Sequence, residues 1–218
     1  MAFPDLQHLN FPENRILRSL MVHHPKIASY LQFFVIVVLT YVLAHGATAY
    51  LITPIQGRFF PEITIFASLM YLPHGVRVLA TWMMGWKAFP PLFAGAVLSE
   101  YLFTPSEVSS LLQLAILESW VVGAIAALVA FELARAFGWD LYAGRRRSLS
   151  WKSILLVGVG ASLINSVGQS LVFSGLIIPE DTVAVFATYA VGDIIGLFVC
   201  MWLLMLVFRW IRLSGQQS

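Results

Sequence analysis

Residues 71–87 have the sequence YLPHGVRVLATWMMGWK, in which Arg77 is followed by no other Lys or Arg until Lys87. If residues 62–86 cross a bilayer as a helix, the rise per residue places Arg77 about 15 Å from Lys87, near the midplane. A charge at that depth costs about 2.5–3.5 kcal/mol on insertion and has to face protein or water with a partner. The stretch therefore predicts a membrane helix and, at Arg77, a polar site inside it.

The composition of the whole chain supports a membrane location. Hydrophobic residues make up 59% of the 218 residues and charged residues only 11%, with a mean hydropathy of +0.82. Soluble domains carry about 25% charged residues, so this composition cannot build a water-facing surface. We expect an all-α integral membrane protein with one membrane domain at residues 27–213, a cytoplasmic segment at 1–26 and a cytoplasmic tail at 214–218.

Apolar runs separated by prolines and polar clusters predict about six transmembrane helices. Pro73 and Gly75 lie inside the second, which is expected to be one kinked helix or two half-helices. The expected spans are 28–52, 62–86, 89–104, 107–136, 151–178 and 182–208. Before them, residues 14–22 have the pattern either of an amphipathic helix on the membrane surface or of a polar tail.

The placement of basic residues predicts the orientation of these spans. All but two of the 13 Lys and Arg residues fall on the side of the N-terminus, while Arg58 falls on the other side and Arg77 in the membrane. Because basic residues accumulate in cytoplasmic loops, both termini are expected in the cytoplasm. The cytoplasmic set is Arg15, Arg18, Lys26, Lys87, Arg135, Arg145, Arg146, Arg147, Lys152, Arg209 and Arg212.

Other polar residues of the spans come to depths similar to that of Arg77. Hydrocarbon penalises each of them separately, so convergence on one ligand-binding centre is the economical arrangement. A purely structural Arg77–Asp193 pair is the alternative. The expected centre consists of Arg77, His74, Glu118, Asn165, Gln169 and Asp193. Closer to the outer surface, His45, Glu62 and Glu100 are expected to line the mouth of a pocket, although Glu100 also fits simple exposure.

The charges of this centre do not balance. Arg77 faces two deep acids, Glu118 and Asp193, so a dry site leaves one carboxylate without a partner. This predicts sensitivity to protons or cations, or a zwitterionic ligand. The single cysteine, Cys200, rules out a disulfide within the chain. No cofactor is indicated, and the sequence contains no metal-binding motif and no nucleic-acid-binding module.

The stretch from Tyr71 to Ala80, continuing through Gly85-Trp86-Lys87 to Pro90-Pro91 and Gly95, resembles the first type of membrane-associated sensor (MASE) domain. Residues 189–196, with Asp193 followed by Gly196, look like the second signature of that family. The resemblance implies a bacterial inner-membrane sensor. Family members usually have about eight spans and a fused output domain, so a six-span chain without one implies a shortened relative that signals through a partner chain.

These observations favour a sensory or ligand-binding module that lies in the lipid bilayer and binds a small molecule or ion. A partner membrane protein or a second copy of the chain is expected. The main alternative is a small-solute uptake protein, similar to the substrate-binding membrane subunits of vitamin transporters, and a structural subunit is another. Catalysis is not expected, because no nucleophile or metal motif accompanies the acid–base residues.

Overall fold

The computed structural model describes residues 25–59, 61, 68–104, 113–145, 150–174 and 182–214. All regular structure in these residues is helical, in agreement with the predicted all-α class. Seven α-helices are present, together with a π-helical turn at Thr48–Ile52 and a 3₁₀ turn at Gly85–Ala88. The helices are α1 Pro25–Ala47, α2 Thr53–Gly57, α3 Leu72–Met84, α4 Phe89–Phe103, α5 Gln113–Ala136, α6 Trp151–Val172 and α7 Thr182–Ser214.

Four helical segments of the described chain are long and apolar enough to cross a membrane, namely 27–57, 114–136, 151–172 and 183–214. The helices α3 and α4 have 13 and 15 residues, or about 20 and 22 Å, which is less than the roughly 30 Å of a hydrocarbon core. The predicted count of six spans is therefore not confirmed. The predictions for residues 1–24 and 215–218 lie outside the described residues.

The predicted kink at Pro73–Gly75 is not confirmed either. Pro73 lies in the first turn of α3, where its missing N–H is not needed by the helix. The helix then continues through Gly75 to Met84, while residues 68–71 are not helical. Pro73 thus lies at the start of a helix, whereas the sequence pattern predicted a kink or a break inside one.

The helix α3 lies inside the bundle, in contact with α1, α5, α6 and α7. On one side, Val78 belongs to a core cluster with Phe131 and Leu197. On the other side, Val76 and Ala80 belong to a second cluster that includes Tyr41 and Leu92. Almost every residue from Pro73 to Thr81 is buried. Polar side chains on α3 must therefore find partners within the protein.

The start of α3 rests on a glycine-lined face of α7. A Cβ atom at Gly192 would collide with the carbonyl oxygen of Ser68, and one at Gly196 with that of Tyr71. The Tyr71 N–H donates to the Gly192 carbonyl at 2.9 Å. Small residues at this spacing let backbones approach closely. Because Gly192 lies ten residues into α7, α3 starts about 15 Å along that helix, deep in the bundle.

The two ends of the bundle differ in charge. The Gly57 end contains the C-termini of α1, α2 and α4 and carries Arg58. The opposite end, here called the Ser150 end, contains the N-terminus of α6 and the C-termini of α3, α5 and α7. Basic residues at the Ser150 end include Lys87, Arg135, Arg145, Lys152, Arg209 and Arg212.

A loop closes the Ser150 end beneath α3. The Ala143 N–H donates to the Trp82 carbonyl at 2.9 Å, and the ring of Tyr142 stacks on Phe131 with centroids 5.1 Å apart. The Tyr142 hydroxyl donates to Glu132 Oε1 at 2.9 Å. Burial, together with this hydrogen bond, raises the pKa of Tyr142 above its ordinary value. The hydrogen bond to Glu132 thus attaches this loop to α5.

Candidate functional site

Four of the predicted polar residues, one of them Asp193, form a buried cluster in the middle of the bundle. Asn165 Nδ2 donates to Asp193 Oδ2 at 2.7 Å, and His74 Nδ1 lies 3.2 Å from the same oxygen. Gln169 Nε2 reaches Asn165 Oδ1 at 3.4 Å and the Ser119 carbonyl at 3.2 Å. All four side chains are at most 5% exposed. The structure thus joins α3, α5, α6 and α7 through one buried polar network.

The side chain of His74 contacts both α6 and α7. Its Nε2 atom lies 3.2 Å from the Gly158 carbonyl, which can only accept, so Nε2 carries a hydrogen. His74 Nδ1 and Asp193 Oδ2 lie 3.2 Å apart, but Nδ1 makes no hydrogen bond, and the second carboxylate oxygen, Oδ1, also has no partner among the described residues. The two side chains are thus a close polar contact between α3 and α7.

Arg77 lies in a second cluster, on the side of α3 that faces α1 and α5. Its Nη2 atom donates to the Tyr41 hydroxyl at 2.7 Å and to the Tyr71 hydroxyl at 3.3 Å. The guanidinium carbon also lies 5.5 Å and 5.2 Å from the centroids of the two rings, where ring quadrupoles attract a cation. The two tyrosines therefore hold the guanidinium in one position.

Gly123 on α5 provides the space that the guanidinium occupies. A Cβ atom at this position would lie 2.5 Å from Nη2 and 2.6 Å from Cζ of Arg77. Neither distance is compatible with van der Waals contact, so any side chain here would push the guanidinium away from the tyrosines. Gly123 is thus part of the site, although nothing in its sequence context distinguishes it from a packing glycine.

Arg77 has no carboxylate at ion-pairing distance among the described residues. The guanidinium is 5% exposed, and its Nε–H has no acceptor within the described part of the chain. The direct Arg77–Asp193 pair, the structural alternative to a binding centre, is therefore not formed, because Asp193 contacts His74 and Asn165 instead. Arg77 thus contributes a buried positive charge that no described carboxylate contacts.

Aromatic rings cover Arg77 toward the Gly57 end. The ring of His45 stacks on Phe103 with centroids 5.7 Å apart and meets the edge of Tyr71 at 6.1 Å. Phe103 in turn contacts the ring of Tyr50, which is 68% exposed. His45, predicted at a pocket mouth, thus lies in an aromatic layer between the guanidinium and that end of the bundle.

Two of the predicted acids lie away from both clusters. The side chain of Glu118 on α5 is exposed, so it does not join the polar centre as expected. Glu100 lies near the end of α4 with a partly exposed side chain, and Glu62 lies outside the described residues. The expected pair of buried carboxylates, Glu118 and Asp193, is therefore wrong for the described residues, because the side chain of Glu118 is exposed.

Sequence reasoning missed the two tyrosines and Gly123. Tyr41 lies four residues before His45, one helical turn away, so a buried hydroxyl near the predicted mouth was a usable sign. Among the described residues, no group of three His, Cys, Asp or Glu side chains is arranged to hold a metal ion.

Comparisons of the chain with protein-family models, with curated proteins and with solved structures found no match. The resemblance to the MASE sensor family therefore stays a hypothesis that rests on the short motifs alone.

Proposed function

We propose that this protein is a membrane-embedded binding module for a small anionic solute, and that Arg77 is the group that contacts the anion. The observation that carries the proposal is a guanidinium buried to 95% with no carboxylate partner among the described residues. An unpaired buried charge is costly, and binding an anion removes that cost. A carboxylate suits the planar donor geometry of arginine especially well.

The hydrogen-bond inventory of the Arg77 cluster also favours an anion. A guanidinium has five N–H donors and no acceptor, and each tyrosine adds one O–H donor. The hydroxyls of Tyr41 and Tyr71 lie 3.5 Å apart, where only one of them can donate to the other. At least one O–H and the Arg77 Nε–H are thus left to bind an acceptor. Donors in excess of acceptors, with a positive charge, favour a carboxylate-bearing ligand.

The membrane orientation is proposed from the distribution of basic residues, and signalling through a partner is proposed from the MASE resemblance. Basic residues concentrate at the Ser150 end, so this end is proposed to face the cytoplasm of a bacterial inner membrane. The solute then arrives from the Gly57 end, and the aromatic layer around His45 and Phe103 has to part for it. A sensory role requires a partner membrane protein or a second copy of the chain to carry the signal.

Uptake of the same solute is the second candidate function, and one observation favours it. Residues 68–71 are not helical, and α3 begins deep in the bundle on the glycine face of α7. Many transporters place their substrate sites where a helix is interrupted near the midplane. Here the non-helical residues include Tyr71, whose hydroxyl accepts a hydrogen bond from Arg77.

Thermal unfolding of the detergent-purified protein tests anion binding. Sodium acetate, sodium succinate and sodium phosphate are the probes, and sodium chloride at equal ionic strength is the reference. A ligand at about 100 times its dissociation constant stabilises by about 2.7 kcal/mol, or about 5–10 °C for a chain of this size. We expect at least one probe to raise the melting temperature.

Matched variants decide whether Arg77 is responsible. Arg77→Gln and Gly123→Ala should both abolish the rise, the first by removing the charge and the second by displacing it. Arg58→Gln, which removes an exposed charge from the Gly57 end, should preserve it. The proposal fails if no probe stabilises the wild type, or if Arg77→Gln and Gly123→Ala bind the probe as well as wild type. Accumulation of the bound probe in proteoliposomes, lost in Arg77→Gln, would favour uptake over sensing.

A further inference from the structure

A groove of about 800 Å³ runs along the C-terminal half of α7 beside the first turns of α6. Leu155, Met201 and Leu204 line its base with partly buried side chains, and Trp151, Trp202 and Phe208 form exposed aromatic walls. From Phe198 to Arg212 the groove extends about 21 Å along α7. This length is comparable to one leaflet of the hydrocarbon core, about 15 Å, plus its interface.

The groove is apolar along its length and basic at one end. Arg209 and Arg212 are the charged residues that line it, and neither has an ion-pair partner among the described residues. Both lie at the Ser150 end, near the last turns of α7. An occupant that complements this surface needs a long apolar part and an anionic group at one end.

The register of α6 against α7 places further positive charge at the same end. Asn165 lies opposite Asp193, and the position of Gly158 is opposite Leu197. Continuing this antiparallel register places Trp151 opposite residues 204–207, next to Arg209. The N-terminus of α6, with its positive dipole end, and Lys152, whose ammonium lies 6.0 Å from the Trp151 ring, thus flank the basic end.

A second groove on the same bundle offers a comparison. It has a volume of about 540 Å³ and lies between the last turns of α5 and the middle of α6, with Leu133, Phe137 and Trp139 among its lining residues. No charged residue lines it. Both grooves lie on the apolar surface of membrane-spanning helices, so both are expected to contact lipid tails. Only the α6–α7 groove offers a positive end to a headgroup.

We infer that the α6–α7 groove binds an anionic glycerophospholipid, with an acyl chain along Met201 and Leu155 and the headgroup phosphate between Arg209 and Arg212. Each Lys or Arg near the membrane surface adds to the attraction for anionic lipids, and basic pockets between membrane helices bind anionic headgroups. The methionine on the base of the groove is flexible and adapts to chains of different shape. The site is separate from the Arg77 cluster.

Native mass spectrometry of the detergent-purified protein, titrated with single lipids at low ionic strength, tests the inference. The probes are phosphatidylglycerol and phosphatidylcholine with identical acyl chains. We expect the wild type to prefer phosphatidylglycerol. The double variant Arg209→Gln/Arg212→Gln should reduce the affinity for phosphatidylglycerol by about 30-fold and leave that for phosphatidylcholine nearly unchanged. Both arginines are exposed, so we expect the variant to fold.

The control variant Lys87→Gln/Arg145→Gln removes two exposed positive charges from the same end outside the groove and should keep the preference. Glycerol 3-phosphate, which has the headgroup phosphate without acyl chains, should not displace the lipid. Equal affinity for the two lipids would overturn the inference, as would a preference that survives in the Arg209/Arg212 variant or falls equally in the control. A lipid-independent dimer broken by Arg209→Gln/Arg212→Gln would assign the groove to a second copy of the chain instead.

Discussion

Replacing Gly196 by alanine should detach the start of α3 from α7. The added Cβ atom would collide with the carbonyl oxygen of Tyr71, and it would lie 2.5 Å from the Tyr71 carbonyl carbon and 3.0 Å from the Leu72 nitrogen. All three are backbone atoms, so no side-chain rotation relieves the overlap. The segment at Tyr71 has to move away from α7, and it takes the tyrosine hydroxyl that contacts Arg77 with it.

The expected size of the effect follows from two opposing terms. Overpacking in a buried interface costs about 1–3 kcal/mol, and a backbone overlap belongs at the upper end of that range. Against this, alanine favours a helix interior over glycine by about 0.5–1 kcal/mol. The net loss in the free energy of unfolding is therefore about 2 kcal/mol. For a chain of this size, that corresponds to a fall of about 4–8 °C in melting temperature.

Thermal unfolding in detergent, followed by near-ultraviolet circular dichroism, measures this change. Gly160→Ala is the matched control, because it lies inside α6 and a Cβ atom there meets nothing within 4 Å. The control should unfold at the wild-type temperature or slightly above it. If Gly196→Ala is as stable as Gly160→Ala, the close contact between residues 68–71 and α7 is wrong.

Three further predictions concern the two polar clusters. Asp193→Asn keeps the shape of the side chain and should cost about 1 kcal/mol. Asp193→Ala should cost about 3 kcal/mol, because it leaves the buried amide of Asn165 without its acceptor and creates a cavity. Chemical unfolding of both variants measures the difference, and equal losses would contradict the contact between Asp193 and Asn165. Tyr41→Phe should lower the free energy of unfolding by about 1.5–3 kcal/mol, and Tyr71→Phe by less than about 1.5 kcal/mol. The reason is that the Tyr41 hydroxyl lies 2.7 Å from Arg77 Nη2, whereas the Tyr71 hydroxyl lies 3.3 Å from it. The reverse order in melting temperature would refute the assigned contacts. Glu118→Gln should change the free energy of unfolding by no more than about 0.5 kcal/mol, because the side chain is exposed. A clearly larger change in chemical unfolding would return this acid to the polar centre.

The depth of the polar residues could be read from the sequence, but their partners could not. His74 and Arg77 are three residues apart and were expected on nearly the same face of a helix. At about 100° per residue they differ by about 60° around the axis. In a helix surrounded on all sides, that difference directs His74 toward α6 and α7 and Arg77 toward α1 and α5.

The misplacement of Glu118 has a similar origin. Its position along α5 suggested the centre, but the direction of the side chain around the helix axis does not follow from that position. Glu118 lies about 140° around the axis from Gly123, which faces the guanidinium. A carboxylate so placed points away from the bundle. Hydropathy carries no information on this angle in a helix that is apolar on every side.

One short motif of the sequence has a physical reason that only the fold reveals. Asp193 followed by Gly196 was noted as part of a short motif. In the structure, the aspartate faces α3 and α6 with its side chain, and the glycine admits the backbone of Tyr71. The interruption before Leu72 could not be located from composition, because residues 68–71 are as apolar as a helix would be.

The length of α7 gives the glycine contact a mechanical consequence. One continuous helix leads from Gly196, beneath the start of α3, to Ser214 at the Ser150 end, a distance of about 27 Å. If ligand binding lifts Tyr71 and lets α7 pivot there by about 10°, the far end of the helix swings by about 5 Å. A local displacement beside Arg77 would thus reach Arg209 and Arg212 as a movement of about 5 Å.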